Sequence, residues 1–194
     1  MNARRLLSTL LFTICALLSA PPPTAAQQEK PDQKADPRSY GALRNLALTV
    51  TRTELELPQP ESPKTPWGVL MDTAFDEGGT VTVIAFADGT ASIYLSSGGG
   101  YIGGDSDTKI RKAVQQLLAT AKQYQPESKP AATQPLPAKG RTVFYFRTDS
   151  GIYTAEAAEG ELANGKHRLS PLFLAVQKVI TEYRLLSESG TQPK

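Results

Sequence analysis

The chain has 194 residues, with 21 basic and 19 acidic side chains, one cysteine and one histidine. That length suffices for one ordinary domain with tails. Two of the basic residues, Arg4 and Arg5, precede an apolar run at the amino terminus. Without them the basic and acidic counts are 19 and 19, which excludes the basic surface that nucleic-acid binding needs.

The first 26 residues have the pattern of a secretory signal peptide. Arg4 and Arg5 are followed by the apolar run 6–18, which is short for a bilayer span, and small residues lead to Ala26. We predict cleavage after Ala26 and a secreted or periplasmic location, with an uncleaved anchor as the alternative. Cys15 leaves with the signal, so the mature chain has no disulfide and no thiolate, and we expect no transmembrane segment in it.

A polar stretch separates this signal from the first helix. Residues 27–37 are polar with two prolines and are predicted to form a disordered tether. The spacing of the next apolar residues predicts a helix whose buried face holds Leu43, Leu46, Ala47 and Val50. Thr51 and Glu54 have capping-box spacing, and the four prolines of 58–66 predict an extended connector.

Three strands are predicted next, in the segments WGVLMDTAF, TVTVIAFA and TASIYLSS. Asp88-Gly89 between the last two is typical of a two-residue type I′ hairpin loop. That loop pairs Phe86 with Ala91, Ile84 with Ile93 and Thr82 with Leu95. The face carrying these six side chains is expected to meet the core.

A helix is predicted after the glycine-rich stretch, with Asp105 or Ser106 as its N-cap. Its apolar stripe comprises Ile110, Ala113, Val114, Leu117, Leu118, Ala121 and Tyr124. Residues 125–140 hold four prolines without periodicity and are predicted to form a long surface loop.

The last third of the chain repeats the order of hairpin and helix. RTVFYFRT and IYTAEAA are predicted strands joined by a three-residue loop that ends in Gly151. Ser170 is the predicted N-cap and Pro171 the first residue of a final helix. Its stripe comprises Leu172, Ala175, Val176, Val179, Ile180, Tyr183 and Leu186, and residues 188–194 are predicted to be a disordered tail.

A shift of 62 residues superimposes the two helical stripes and takes Gly89 to Gly151. The spacing therefore predicts two hairpin-helix modules that join edge to edge. The fold class is α+β, with about five antiparallel strands and two or three flanking helices in one domain over 38–187. In its order of elements the chain resembles the roadblock or profilin-like class, although that class places two strands before the helix and three after it.

One segment carries a second resemblance. Residues 67–104, with the pattern WGVLMD…ADGTxSxYxSxGGGxIG, resemble a segment of uncharacterised bacterial exported proteins. The resemblance covers 38 residues and implies no activity, so it assigns no residue a role.

The glycine-rich stretch matches the string GxGxxG at Gly98, Gly100 and Gly103. A dinucleotide fingerprint belongs to a parallel βαβ unit, whereas the strand here ends an antiparallel meander. The alternatives are a sharp turn, with Tyr101 in the core, or a site for a small anion or an extended peptide. The candidate ligand-binding residues are Ser97, Gly98, Gly99, Gly100, Tyr101, Gly103 and Gly104.

Other candidates for chemistry are isolated. Asp105 and Asp107 have partial calcium-loop spacing, but Lys109 stands where a further oxygen ligand belongs, so helix capping is favoured. His167 lies in a charged turn without a nucleophilic serine motif. Five further acids are candidates for carboxylate pairs across strands, but most of them lie in turns, where short acids are favoured: Asp72, Asp76, Glu77, Asp88 and Asp149. For Trp67 and Tyr94, core packing or a strand-end anchor is favoured over an aromatic surface.

The sequence favours a non-catalytic exported module that binds a protein partner or forms a homodimer, because it holds no complete catalytic set. The alternative is a protein that binds a small ligand or an anion, or hydrolyses a small ligand, at a site formed by Gly98–Gly104. Asp105, Asp107, Tyr94 or His167 would lie near that site. A purely structural envelope protein is a third reading. No cofactor and no metal are predicted.

Overall fold

The computed structural model describes residues 36, 38–104 and 106–189. The predicted signal peptide, most of the tether and residues 190–194 lie outside these ranges. The strands are β1 (Gly68–Ala74), β2 (Thr80–Phe86), β3 (Ala91–Leu95), β4 (Gly100–Tyr101), β5 (Lys129–Pro130), β6 (Arg141–Thr148) and β7 (Gly151–Ala158). The helices are α1 (Tyr40–Thr49), α2 (Thr108–Tyr124), α3 (Glu159–Ala163) and α4 (Ser170–Glu188).

The α+β class with an antiparallel sheet is confirmed, but the described sheet has seven strands in the order β4-β3-β2-β1-β6-β7-β5. The two strands beyond the predicted five are the edges β4 and β5, each of two residues. Two residues are too few to show an alternating pattern. Within the predicted surface loop 125–140 the structure has the two-residue strand β5.

The two hairpins join in one sheet through β1 and β6, which pair antiparallel from Gly68 opposite Arg147 to Ala74 opposite Arg141. Both strands are buried along nearly their whole length, as expected at the centre of a sheet covered on both faces. The internal repeat stays a prediction.

One face of the sheet packs against α2 and α4 through apolar contacts. Val69 and Met71 of β1 and Phe144 and Phe146 of β6 supply the sheet side of this core. The predicted apolar stripes of α2 and α4 both contact this core. The fully buried members are Ile110, Ala113, Val114, Leu117 and Ala121 on α2 and Leu172, Val176, Val179 and Tyr183 on α4.

The opposite face is covered by α1 and by Leu57 and Trp67, the residues that flank the connector. Leu70, Ile84 and Tyr145 pack there with Ala47 and other buried side chains. The predicted stripe of α1 is wrong at one position, since Leu46 is 61% exposed whereas Leu48 is buried. The reason is Arg44, a charged residue that faces the sheet and so rotates the buried side of the helix.

The first hairpin has a different register from the predicted one. Ala85 pairs with Ala91 and Val83 with Ile93, and Phe86 N donates to Thr90 O at 2.9 Å, so the loop has the three residues 87–89 rather than two. A type I′ turn needs positive φ at two central residues, and here only Gly89, at +94°, has it. The slip by one residue moves every β3 side chain to the face opposite the predicted one.

Hydrogen bonds at the helix ends also differ from prediction. Asp107, not Asp105 or Ser106, caps α2, accepting from the amides of Lys109 and Ile110 at 2.7 and 3.0 Å. Leu169 occupies the N-cap position of α4, and Ser170 is its first helical residue.

Two further local predictions can be compared with the structure. Thr51 and Glu54 form the reciprocal capping box, with Thr51 N donating to Glu54 Oε2 at 2.7 Å and Glu54 N donating to Thr51 Oγ1 at 3.2 Å. The second hairpin pairs Thr148 with Gly151, so two residues rather than three form its loop.

The two faces of α4 provide a test of the packing. Leu172 is fully buried, whereas Leu174 is 56% exposed on the same helix. We expect Leu172→Ala to lower the free energy of unfolding by about 2–5 kcal/mol, because it leaves a cavity in the core. Leu174→Ala, the matched control, should change it by less than about 0.5 kcal/mol. Urea unfolding followed by circular dichroism measures both, and equal losses would contradict this packing.

Candidate functional site

The glycine-rich stretch forms a tight hairpin between β3 and β4. Leu95 N donates to Gly99 O at 3.1 Å, and Gly98 N donates to Leu95 O at 2.9 Å. Gly98, Gly99 and Gly100 have φ of +97°, +82° and +140°, which side-chain-bearing residues rarely adopt. The strand that follows pairs Tyr94 with Gly100. The glycines therefore reverse the chain within an antiparallel sheet.

The second half of the stretch packs against α4. The ring of Tyr101 stacks on that of Tyr183, with centroids 5.4 Å apart. The hydroxyl of Tyr183 donates toward Ala91 O at 2.5 Å and also contacts Gly103 O. A β-carbon on Gly104 would lie 2.4 Å from that hydroxyl oxygen, so a larger residue does not fit there.

The candidate ligand-binding residues consequently divide into three groups. Tyr101, Gly103 and Gly104 belong to the packed half, and Ser97 and Gly98 are exposed on the turn. Gly99 and Gly100 line a cleft of about 250 Å³ between the turn and the start of α1. We call it the α1–glycine cleft, and it is lined by Arg38, Leu43, Tyr94, Gly99, Gly100 and Ile102.

The α1–glycine cleft combines apolar walls with one free cation. Leu43, the ring of Tyr94 and Ile102 form the walls, and Ile102 is 62% exposed. The guanidinium of Arg38 forms no ion pair among the residues that the structure describes. Sequence reasoning missed Arg38, which it placed at the border of a disordered tether.

A buried ion pair holds α1 over the sheet and thereby shapes the cleft. Asp72, at the centre of β1, is fully buried, and its Oδ2 accepts from Arg44 Nε at 2.9 Å and Nη2 at 2.6 Å. Burial raises the pKa of the Asp72 carboxyl, and the hydrogen bonds from Arg44 and Thr82 oppose that rise. Burial alone would lower the pKa of Arg44, but its bonds to Asp72 raise it.

A short hydrogen-bonded chain completes the pairing of this carboxylate. Thr82 Oγ1 donates to Asp72 Oδ1 at 2.5 Å. The Thr82 hydroxyl has one proton, so Tyr40 donates to Thr82 in the 2.8 Å contact between the two oxygens. Both oxygens of the buried carboxylate thus accept hydrogen bonds from α1 or β2, as a buried charge requires.

The same ion pair reaches the proline-rich segment. Arg44 Nη2 also donates to Gln134 O at 2.8 Å, and the hydroxyl of Tyr145 donates to Pro135 O at 2.7 Å. These bonds hold residues 131–138 across β6 and β7 on the α1 side. Burial, with a smaller contribution from the charge of Asp72, raises the pKa of Tyr145 to about 12.

A second arginine fastens the other end of α1. Arg147 of β6 donates to the carbonyl oxygens of Ala47 and Val50, the latter at 2.5 Å, where the helix ends. Its guanidinium carbon lies 4.5 Å from the ring centroid of Trp67. A cation at a helix carboxyl end complements the helix dipole. Burial lowers the pKa of Arg147 to about 10, against the charge of Glu54.

The other candidates from the sequence do not come together. His167 accepts from Leu169 N through Nδ1 at 3.2 Å, and Asp88 accepts from Thr90 N at 2.8 Å within its turn. Trp67 is buried and stacks on Phe86. Asp105 lies outside the described residues. Within 38–104 and 106–189, no three His, Cys, Asp or Glu side chains are placed to share a metal ion.

No family model, curated protein or solved structure matches the chain. In the part of the chain that the structure describes, no helix has the length and apolar character that crossing a membrane requires.

Two glycines of the hairpin give a matched test of its geometry. A β-carbon on Gly100 would lie 1.9 Å from Ile93 O, whereas one on Gly98 would meet nothing within 4 Å. Both have positive φ, so each alanine carries backbone strain of about 1–2 kcal/mol. We expect Gly98→Ala to cost only that strain and Gly100→Ala to cost at least about 2 kcal/mol more. Equal free energies of unfolding in urea would contradict the hairpin.

The raised pKa of Tyr145 gives a test at alkaline pH. An unfolded tyrosine ionises near pH 10, so between pH 10 and 12 the unfolded chain loses a proton that the folded chain keeps. Stability therefore falls through this window. We expect Tyr145→Phe to flatten that fall in urea midpoints and to remove the last step of the absorbance titration at 295 nm. A wild-type titration that is complete by about pH 11 would contradict the assignment.

Proposed function

We propose that the protein is an exported, non-catalytic binding module whose α1–glycine cleft receives an apolar side chain of a protein partner. The observation that carries the proposal is the cleft itself. Apolar walls, an exposed Ile102 and the unpaired Arg38 meet there, beside a turn whose glycines bring backbone to the surface. An exposed apolar group beside a charge is typical of a binding surface rather than of a folding core.

The size of the cleft favours a side chain over a whole small molecule. Pockets for cofactors and drug-sized ligands occupy about 300–1,000 Å³, whereas the α1–glycine cleft occupies about 250 Å³. Protein interfaces commonly place one large anchor residue of the partner in such a pocket. Arg38 favours a partner whose anchor residue has a carboxylate next to it, because an arginine binds a carboxylate through two parallel hydrogen bonds.

The sheet edges support attachment at the cleft. A peptide that adds to a sheet needs a row of free backbone groups. The described edges β4 and β5 have two residues each, and Pro130 of β5 has no amide hydrogen to donate. At β4 and β5 themselves a partner has little backbone to extend, so we assign the partner's affinity to side-chain contacts at the cleft.

We propose, in addition, a specific architecture and a cellular location for the protein. Helix α1 lies on one face of the antiparallel sheet, and the long helices α2 and α4 lie on the other. This arrangement supports a roadblock or profilin-like architecture. The signal-like segment 1–26 supports export into the periplasm or the medium. A second copy of the chain is one partner that the cleft could receive.

Selection of peptides tests this function without a known partner. Random peptides displayed on phage are selected on the purified protein and counter-selected on Ile102→Asp, which places a charge in the cleft. We expect enriched peptides that carry an apolar residue beside an acidic residue or a terminal carboxylate. Their affinity should fall at least about tenfold for Ile102→Asp. The affinity should fall less for Arg38→Gln, and the affinity of that variant should depend less on the salt concentration.

The matched control is Leu174→Asp, which changes an equally exposed apolar residue on α4. It should leave the affinity unchanged. Failure to enrich any peptide, or an equal loss in Leu174→Asp, would refute the cleft as the binding site. Sedimentation equilibrium of wild type and Ile102→Asp shows whether the partner is a second copy.

The second candidate function is binding of a small anion at Gly98–Gly104. The observation that favours it is the run of positive-φ glycines, because such backbone can present amide groups to an anion. Titration with inorganic phosphate should then shift the amide resonances of Ser97 and Gly99, since the Gly98 amide already donates to Leu95 O. Shifts confined to lysines elsewhere on the surface would refute it.

A further inference from the structure

A larger cavity lies where the connector passes the end of α2, on the opposite face from α1. It has a volume of about 500 Å³, within the range of about 300–1,000 Å³ that small-molecule sites occupy. We call it the connector cavity. Its walls include the polar residues Glu61, Lys64, Thr65, Lys122, Gln125 and Tyr153.

Gln125 is the buried polar residue in the wall of this cavity. Only 4% of the residue is exposed, and its side-chain carboxamide makes no hydrogen bond to any described residue. Its backbone is satisfied, since its amide donates to Ala121 O and its carbonyl accepts from Ser128 N. The carboxamide is not among the described side-chain atoms that are fully buried without a partner, so it is open to the cavity. It can therefore offer a ligand there both donor groups and an acceptor.

The charges around the cavity favour an anionic ligand. Lys122 forms an ion pair with Glu61, so these two charges cancel. Lys64 lines the same cavity and forms no ion pair among the described residues. The three charges therefore sum to +1.

The other groups favour a ligand rich in hydroxyls. A carboxamide can donate to one hydroxyl and accept from its neighbour, which matches the spacing of adjacent hydroxyls on a sugar. The ring of Tyr153, with Pro66 and Pro126, gives apolar surface for the C–H face of such a ring. Thr65 brings a further hydroxyl to the wall.

We infer that the connector cavity binds a small polyhydroxylated carboxylate of hexuronate size, with Gln125 holding neighbouring hydroxyls and Lys64 holding the carboxylate. The site is independent of the α1–glycine cleft, because the two share no residue.

Nuclear magnetic resonance of the 15N-labelled protein tests the inference, with glucuronate and glucose as probes. We expect glucuronate to shift the side-chain amide resonances of Gln125 and to bind more tightly than glucose. Gln125→Ala should weaken glucuronate binding at least about tenfold, since both hydrogen bonds are lost. Lys64→Gln should reduce the affinity for glucuronate to that for glucose.

Three further variants make the result unambiguous. Lys112→Gln removes an exposed lysine on the outer side of α2 and should leave binding unchanged. Gln125→Glu keeps the size of the side chain but places a second carboxylate beside the ligand, so binding should be lost; circular dichroism of the variant checks that it is folded. Ile102→Asp should bind glucuronate like wild type, which separates this site from the α1–glycine cleft.

Several results would overturn the inference. They are a Gln125 amide that glucuronate does not shift, unchanged affinity in Gln125→Ala, or an equal loss in Lys64→Gln and Lys112→Gln. Glucose binding as tightly as glucuronate, with no effect of Lys64→Gln, would overturn the assignment of an acidic ligand.

Discussion

A single buried carboxylate constrains the α1 side of this protein. Asp72 lies at the centre of the sheet with no exposure, and an unpaired charge in that position would be prohibitively unfavourable. Arg44 must therefore reach it from α1 and Thr82 from the neighbouring strand. Because Arg44 also binds Gln134 O, the same charge positions the proline-rich segment. The α1–glycine cleft depends on this ion pair, since Leu43 precedes Arg44 on the helix.

The two faces of the sheet are held by different forces. On one face α2 and α4 pack mainly through apolar side chains, in the manner of an ordinary core, and the Tyr183 hydroxyl adds a hydrogen bond to Ala91 O. On the other face α1 is fastened by directional bonds from Arg44 and Arg147, and its remaining cover is connector and proline-rich segment. Irregular cover leaves recesses where regular helices would interlock. The α1–glycine cleft lies at such a segment on the α1 face, whereas the connector cavity lies where the connector passes the end of α2 on the other face.

Sequence reasoning worked where a residue pattern had a local cause. The stripes of α2 and α4 and the capping box at Thr51 were predictable because neighbouring turns of the same segment define them. The register of the first hairpin was not, because Asp88-Gly89 fits either a two-residue or a three-residue loop. Asp72 was visible as an acid within an apolar strand, but its partner Arg44 lies 28 residues away in a helix that looked amphipathic without it.

The sequence by itself determined the class of the fold, the position of its five longer strands and the apolar faces of its two long helices. These follow from periodicity, which is a property of consecutive residues. Only the tertiary structure decided which face each β3 side chain takes, how α1 is rotated, and that the nearly buried Gln125 lines the connector cavity. These depend on contacts between segments far apart in the chain. For that reason the glycines were noticed first, whereas Arg38 and Gln125 emerged only when their neighbours were in place.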